Sequence, residues 1–405
     1  MASDFEENKN QTDDTTGGEG NKNQPDDTTG GEENKNQPDD TTGSDGDGTK
    51  AGGTPTTGSE TPAEGTEGTE STESSLSAPK SQFTYTGASL KVADDNDDEE
   101  TRNESTTVLK RAAENFKNTA ENVTNYVIKI INKATGNDNT LNVTLDNVKI
   151  EANNDAALSV EGAGNTTITL KGDNTLTSGG NYAGLEHNQK SDGGSDTGKL
   201  TITSGTNDDG SNTGSLTATG GSGAAGIGSS DSNGAGTIEI TGGNITAKGG
   251  DNGAGIGSGS MAAGNTNITI SGGTIEEAVG GSTGDGIGGG SGSKNITVTI
   301  QGGTIKKAQG GDGKTTAGHG IHSDGDLTIS GNATITNATG GASTDGYGGD
   351  GIHSDGKLTI SGGTIGTAQG GGGKTTGGAG IYSIDDLTIS GGNINAKGGD
   401  STDNT

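Results

Sequence analysis

Cysteine and tryptophan are absent from this 405-residue chain, and aromatic residues make up only 2% of it. The lack of cysteine excludes disulfide bonds and thiolate chemistry. Only 23% of the residues are hydrophobic, which is too few for an ordinary close-packed globular core. Two classes remain compatible with this composition, a disordered chain and a repeat protein.

Positive charge is also scarce, with 24 Lys and Arg against 55 Asp and Glu and a net charge of −31. Because the net negative charge repels phosphates and anionic headgroups, we expect neither nucleic acid nor an anionic membrane as a partner. No apolar run reaches the roughly 18 to 20 residues that a transmembrane helix needs. The acidic start MASDFEENKN differs from a signal peptide, which is basic and then apolar.

Proline is confined to the first 80 residues, which hold all five prolines of the chain. The same segment repeats the 13-residue unit NKNQTDDTTGGEG, NKNQPDDTTGGEE and, in part, NKNQPDDTTG. Low hydrophobicity and excess negative charge keep such a segment from burying enough apolar surface to offset the entropy lost on folding. We therefore predict that residues 1–80 form a disordered acidic linker.

One stretch has helical periodicity. In VLKRAAENFKNTAENV (108–123), apolar residues recur at helical spacing and charged residues fall between them. The stretch comes just before a long β region, whose open end needs a cover against edge-to-edge association. We predict a capping helix at 108–123 within an N-terminal cap spanning residues 81–140.

Glycine is abundant, with 83 residues, and it marks a repeat. Short apolar strands ending in a glycine turn recur every 29 to 31 residues, as in ITGGNI (240–245), ISGGTI (270–275) and IQGGTI (300–305). Each unit has three short apolar segments, which predicts three strands per coil, stacked in parallel on the next coil. The predicted fold is all-β, a right-handed parallel β-helix over residues 141–400.

Charged residues follow the same period. TIEEA (274–278) and TIKKA (304–308) are 30 residues apart. This spacing predicts that Glu276 and Glu277 lie beside Lys306 and Lys307 on the next coil, where the opposite charges help to set the register of the ladder.

A histidine-containing phrase repeats as well. GHGIHSDGDLTIS (318–330) recurs one coil later as GDGIHSDGKLTIS (349–361). Each histidine follows an inward isoleucine, so we predict an outward stacking ladder of His322, His353 and Tyr382. A metal site at this ladder would need a third and a fourth ligand at fixed distance. The aspartates that follow the histidines, Asp324 and Asp355, are equally well explained as Asp-Gly turn residues.

Aspartates after paired glycines are candidate calcium ligands. Asp251, Asp312 and Asp350 lie in the glycine-rich outer loops of their coils. Turn formation explains these residues, and calcium contact is the alternative. We retain Asp251, Asp312 and Asp350 as the candidate metal ligands, with calcium as the candidate cofactor.

Catalysis is not expected, although many parallel β-helices cleave acidic polysaccharides. Pectate-lyase-like enzymes use an arginine or lysine as base, and both arginines of this chain, Arg102 and Arg111, precede the predicted β-helix. Gly318-His319-Gly320 resembles one element of polygalacturonase-like enzymes. The nearest paired aspartates, Asp385-Asp386, lie two coils away, and the Arg-Ile-Lys element of those enzymes is absent from the sequence.

The stretch LNVTLDNVKIEANNDAALSVEGAGNTTITLKGDNTLTSG (141–179), with GSLTATGGSGAAGIGSS (214–230) and TIEITGGNITAKGGDNGAGIGSG (237–259), resembles the β-helical carbohydrate-binding domain family of Firmicutes and related bacteria. The resemblance covers residues 125–400. It implies an extracellular or cell-surface protein that binds a pectin-like acidic polysaccharide, with calcium assisting. No ligand-contact motif carries over residue by residue.

Three non-catalytic functions remain open. The first is a secreted or cell-surface polysaccharide-binding module or adhesin, and the second is a structural stalk that displays other domains of a longer protein. The third is ice binding, because outward Thr-x-Ser pairs such as Thr269/Ser271 and Thr328/Ser330 form a regular array. The chain contains no recognisable signal or anchor, and we expect it to be part of a longer surface protein.

Overall fold

The computed structural model describes residues 125–132, 140–189, 197–205 and 214–403, together with the backbone of three strands nearer the N-terminus. The described residues form strands, turns and bends, and no helix occurs among them. The predicted linker, residues 1–80, lies outside the described residues.

The chain winds into a solenoid with three faces, and each winding is one coil. Two neighbouring faces belong to one sheet, because three long strands run through both of them. The first face contains β5 (Leu141–Asp146), β10 (Leu200–Ser204), β13 (Gly236–Ile240), β16 (Thr266–Ile270), β19 (Ile296–Ile300) and β23 (Leu327–Ile329). The second contains β6 (Lys149–Glu151), β11 (Gly214–Thr219), β14 (Asn244–Lys248), β17 (Thr274–Val279), β20 (Thr304–Ile305), β21 (Ala308–Gln309) and β24 (Thr334–Thr339). The shared strands are β8 (Thr166–Thr177), β26 (Leu358–Gln369) and β28 (Leu387–Lys397).

The third face is a separate sheet of short strands. It contains β4 (Tyr126–Ile131), β7 (Leu158–Glu161), β9 (Leu185–Glu186), β12 (Ile227–Gly228), β15 (Ile256–Gly257), β18 (Ile287–Gly288), β22 (Ile321–Ser323), β25 (Ile352–Ser354) and β27 (Ile381–Ser383). These nine strands stack in sequence order, which corresponds to about eight turns of the solenoid.

Equivalent positions of successive coils pair directly in parallel. On the first face the row runs Ile238, Ile268, Val298, Leu327, Leu358 and Leu387, at intervals of 30, 30, 29, 31 and 29 residues. The parallel β-solenoid with three strands per coil is therefore confirmed. Its right-handed sense remains a prediction, which rests on the handedness of parallel crossover connections.

The core is a set of apolar rows. Successive residues of a strand point to opposite sides of the sheet. In β16, Ile268 and Ile270 are buried, while Thr269 between them reaches solvent. The same alternation recurs coil after coil and gives one continuous core of isoleucine, leucine, valine and alanine.

The N-terminal end is closed by strands in the part that the structure describes. β3 (Glu114–Asn118) pairs in parallel with β5, and β1 (Phe83–Tyr85) pairs antiparallel with β3. On the third face β2 (Val92–Asp94) pairs antiparallel with β4. The predicted helix 108–123 is therefore wrong at 114–118, and its other residues lie outside the described ones. Pairing with an otherwise open sheet edge outweighs a local helical preference.

The predicted charge ladder between coils is confirmed. Lys306 Nζ lies 2.8 Å from Glu276 Oε1, and Lys307 Nζ lies 3.7 Å from Glu277 Oε1. These side chains are all more than a third exposed, so each pair contributes at most about 1 kcal/mol. The ladder adds to the register more than to the stability.

A column of glycines on the third face lets the coils approach closely. Gly228, Gly257 and Gly288 have φ angles of 137°, 140° and 150°. A Cβ atom on Gly257 would lie 1.8 Å from the carbonyl oxygen of Gly288. The column therefore requires glycine both for its backbone conformation and for the contact between coils.

We predict that Gly257→Ala lowers the free energy of unfolding by about 3 kcal/mol or more, because the new Cβ combines backbone strain with a clash. Gly372→Ala is the matched control, since its nearest neighbour would be Asp400 O at 3.7 Å. Urea unfolding followed by circular dichroism measures both. Equal midpoints for the two variants would contradict the close-contact role of the glycine column.

Candidate functional site

The third face changes after β18. The strands β9, β12, β15 and β18 have two residues each, whereas β22, β25 and β27 have three. The column that held the glycines now holds His322, His353 and Tyr382, which pair in register. None of these three has the positive φ of the glycines, so the strand continues by one residue with the ring standing outward.

Stacked loops lie beside this column. Residues 310–320, 340–351 and 370–380 connect the second face to the third face in the last coils. Bridges link the loops in parallel, with Tyr347 paired to both Thr316 and Thr376. The loops therefore continue the regular stacking and hold their ends, including His319 and Asp350, next to the histidine column.

Seven side chains from three successive coils meet at this place, which we call the His–Asp cluster: Asp285, His319, His322, Asp324, Asp350, His353 and Asp355. The rings contact one another, with centroids 4.3 Å apart for His319 and His353 and 5.2 Å apart for His322 and His353. Tyr382 ends the ladder 5.1 Å from His353. The predicted stacking ladder is confirmed, and carboxylates accompany it.

His322 lies between two carboxylates. Its Nδ1 is 2.8 Å from Asp285 Oδ2, on the preceding coil, and its Nε2 is 3.7 Å from Asp324 Oδ1. Asp285 is itself held in place, because it accepts hydrogen bonds from the backbone N–H groups of Gly289 and His319. The imidazole is thus oriented from one side by a buried, fully engaged carboxylate.

His353 has the same arrangement one coil later. Its Nδ1 is 2.6 Å from Asp350 Oδ2, and its Nε2 is 2.9 Å from Asp355 Oδ1. Asp350 also accepts a hydrogen bond from the backbone N–H of Ala379. Each ring therefore has an orienting aspartate at Nδ1 and the aspartate of its own His-Ser-Asp phrase at Nε2.

His319 differs from the other two histidines. Its Nδ1 accepts a hydrogen bond of 2.9 Å from the backbone N–H of Asp350. A nitrogen that accepts carries no proton, so the neutral ring has its proton on Nε2. Burial, opposed in part by Asp285, lowers the pKa of His319 to about 4.

Charge is distributed unevenly over the cluster. Burial alone would lower the pKa of His322, but the charge and hydrogen bond of Asp285 outweigh it and raise the pKa to about 9. The pKa of His353 is likewise raised against burial by its bonds to Asp350 and Asp355. At neutral pH the ring of His322 is therefore an imidazolium beside Asp285, and the ring of His319 is neutral.

Glycine makes room for the cluster at one position. A Cβ atom on Gly288 would lie 2.8 Å from Asp285 Oδ2 and 3.0 Å from the carbonyl oxygen of His322. Asp285 can reach His322 on the next coil only because Gly288 has no side chain. The last residue of the glycine column thus permits the first ion pair of the histidine column.

The three predicted metal ligands do not share one location. Asp350 belongs to the His–Asp cluster. Asp312 is exposed and accepts a hydrogen bond of 2.7 Å from the backbone N–H of Ala342 on the next coil. Asp251 is exposed, and its backbone carbonyl accepts from Gly223. Neither Asp251 nor Asp312 belongs to the groups of potential metal ligands that the described residues form.

Asp285 was not predicted, although the sequence contains a signal for it. GDGIGGG (284–290) aligns with GHGIHSD (318–324) and GDGIHSD (349–355) when the coils are superposed on the isoleucine. Its aspartate occupies the coil position of His319 and Asp350. Asp285 can be identified only by this equivalent position, because its own phrase GDGIGGG contains no histidine.

Comparison with protein-family profiles, with curated proteins and with solved structures finds no match to this chain. Among the described residues there is also no helix of the length and apolarity needed to span a membrane.

We predict a pH dependence of stability from His322. Its folded pKa of about 9 exceeds the unfolded value of about 6.5. The stabilisation that protonated His322 contributes is therefore fully present below pH 6.5 and is lost as the pH rises through 9. In chelator-containing buffer, the free energy of unfolding of the wild type should exceed that of His322→Gln. This difference should fall by on the order of 3 kcal/mol between pH 6.5 and pH 9.5.

The Asp285→Asn background provides the control, because it lacks the carboxylate that raises the pKa. There the difference between histidine and glutamine should change little with pH. Urea unfolding at four pH values measures these free energies. If the difference between histidine and glutamine at position 322 stayed constant with pH in the chain that keeps Asp285, the raised pKa of His322 would be contradicted.

Proposed function

We propose that this solenoid is a non-catalytic polysaccharide-binding module of a secreted or cell-surface protein. The observation that carries the proposal is the exposure of two tyrosine rings on the last coils, 58% for Tyr347 and 45% for Tyr382. Aromatic faces pack against the C–H groups of sugars, and the phenol hydroxyl adds a hydrogen bond. Both rings lie in parts of the coil that stack in register with their neighbours.

The regular spacing of the coils supports a linear ligand. Outward threonines pair along the first face, with Thr269 beside Thr299, then Thr328 and Thr359. Neighbouring strands are about 4.8 Å apart, so a chain of sugars along the solenoid axis would meet the same polar groups at every step. A repeating surface of this kind suits a repeating polymer.

An acidic polysaccharide would need a cation between the two surfaces. The chain has a net charge of −31, which by itself repels a polyanion. Calcium binds oxygen ligands from exposed carboxylates and from the ligand together. The exposed side chains of Asp251 and Asp312 are the proposed contacts, and calcium-assisted binding follows from this requirement.

A stalk is the second candidate, and the surface of the last coil favours it. Ile384, Leu387 and Ile389 are 59%, 47% and 53% exposed, whereas Leu358 and Ile360, the equivalents of Leu387 and Ile389 on the preceding coil, are fully buried. Terminal coils of solenoids need a polar or covered end. An exposed apolar surface of this kind suits a rod that packs against and supports another protein surface.

We predict that the protein is retarded in gels containing polygalacturonate when calcium is present, and runs freely with chelator or in neutral glucan. Tyr382→Ala should weaken the calcium-dependent affinity roughly 2- to 10-fold, the loss of about 0.5 to 1.5 kcal/mol from one aromatic contact.

Tyr182→Ala, on an early coil, is the matched control and should behave as the wild type. Absence of retardation in every gel would reject the binding proposal and favour the stalk.

A further inference from the structure

The two His-Ser-Asp phrases form a doubled arrangement that the stacking ladder alone does not require. In each phrase the Nε2 of the histidine faces the aspartate two residues later. Ser323 and Ser354 pair directly between the coils, so the two histidines and the two aspartates are brought side by side. Three potential ligands, on His322, His353 and Asp355, therefore converge from two adjacent coils, and Asp324 lies beside His322.

We propose that His322, His353 and Asp355 bind a divalent transition-metal ion of the zinc class, with Asp324 as the fourth ligand. The ligand atoms of the first three residues lie within 4.8 Å of one another. Zinc with nitrogen and oxygen ligands at about 2.0 to 2.2 Å requires ligand atoms roughly 3.3 to 3.5 Å apart in a tetrahedron.

Two of the spacings between ligand atoms bracket that requirement. His353 Nε2 is 2.9 Å from Asp355 Oδ1, and His322 Nε2 is 3.7 Å from Asp324 Oδ1. Rotation of the Asp324 side chain would bring its carboxylate to an ion held by the other three residues, and the ion would take the place of any proton on the two Nε2 atoms. The side chain of Asp355 is 41% exposed, so an ion can enter from solvent.

The second layer of contacts is already in place. Histidine ligands of metals characteristically donate their other ring N–H to a carboxylate, which fixes the ring and increases its basicity. Asp285 performs this role for His322 at 2.8 Å, and Asp350 performs it for His353 at 2.6 Å. Both orienting aspartates are themselves held by backbone N–H groups of the next coil.

A second set of three residues is a weaker candidate. His319, Asp350 and His353 also lie within 4.8 Å of one another. The Nδ1 of His319, however, already accepts the backbone N–H of Asp350, and Asp350 is bonded to both Ala379 and His353. Coordination there would break backbone bonds that align the coils. On the Nε2 side of the two phrases, Asp324 accepts the backbone N–H of Ile296 through Oδ2 and leaves Oδ1 facing His322.

The donor set also selects the class of metal. Imidazole nitrogens with a carboxylate suit zinc, nickel, cobalt or copper, while calcium and magnesium take oxygen ligands only. The site is therefore distinct from the exposed aspartates that the calcium proposal uses, and it requires no polysaccharide.

Zinc and cobalt titrations of the full chain test the proposal. Calorimetry should show one Zn²⁺ per chain that a chelator removes, and Co²⁺ should give the visible absorption of a tetrahedral nitrogen–oxygen site. Ca²⁺ should not compete. Asp355→Asn, at a partly exposed position, should weaken zinc binding at least 100-fold, and Asp350→Asn should weaken it 10- to 100-fold through loss of ring orientation.

Two further variants separate the alternatives. His319→Gln and Asp312→Asn should bind zinc as the wild type does, since neither residue is a ligand. Loss of binding in His319→Gln with retention in Asp355→Asn would overturn the assignment in favour of the second set. Wild-type binding in both Asp355→Asn and His353→Gln, or no zinc binding by the wild type, would overturn the site itself. Thermal unfolding of each variant with chelator shows whether it is folded.

Discussion

In-register pairing of parallel strands between successive coils is the interaction on which the rest of this structure depends. One coil by itself buries a few isoleucines and leaves its backbone N–H and C=O groups open on both edges. Stacking satisfies these groups and covers the apolar rows at the same time. Because every coil position lies about 4.8 Å from its equivalent on the next coil, one residue type repeated at one position becomes a row: apolar in the core, charged between Glu276 and Lys306, glycine at Gly257 and Gly288.

The same constraint explains the composition of the His–Asp cluster. Rows of like charge would repel at this spacing, and in the cluster the neutral ring of His319 separates the carboxylates of Asp285 and Asp350. Asp285, His319 and Asp350 take equivalent positions on three coils, and the ring between the two carboxylates is the one whose pKa is lowered. His322 and His353 are neighbours in the next row, but each is held by its own aspartate at Nδ1. The cluster is thus a product of stacking as much as of the individual residues.

Much of the fold could be predicted from the sequence. The interval between glycine turns gave the coil length, and the alternation of Ile268, Thr269 and Ile270 gave the inward face. The spacing of TIEEA and TIKKA located the ion pairs.

The helix expected at 108–123 is wrong at Glu114–Asn118, because helical periodicity is a local preference, whereas the pairing of this segment with β5 depends on the rest of the fold. Asp285 was missed because its phrase lacks histidine, although its place in the coil was readable.

The sequence by itself determined the repeat, the inward and outward positions and the rows that face each other, since all of these follow from strand alternation and a constant period. It also placed His322 and His353 in one column. Only the tertiary structure decided which carboxylates reach which ring nitrogens. Asp285 lies 37 residues from His322, and whether it bonds to that ring depends on loop paths, on the missing side chain of Gly288 and on distances of a few ångströms. A period fixes which residues are neighbours, whereas the direction of each side chain is set by its packing.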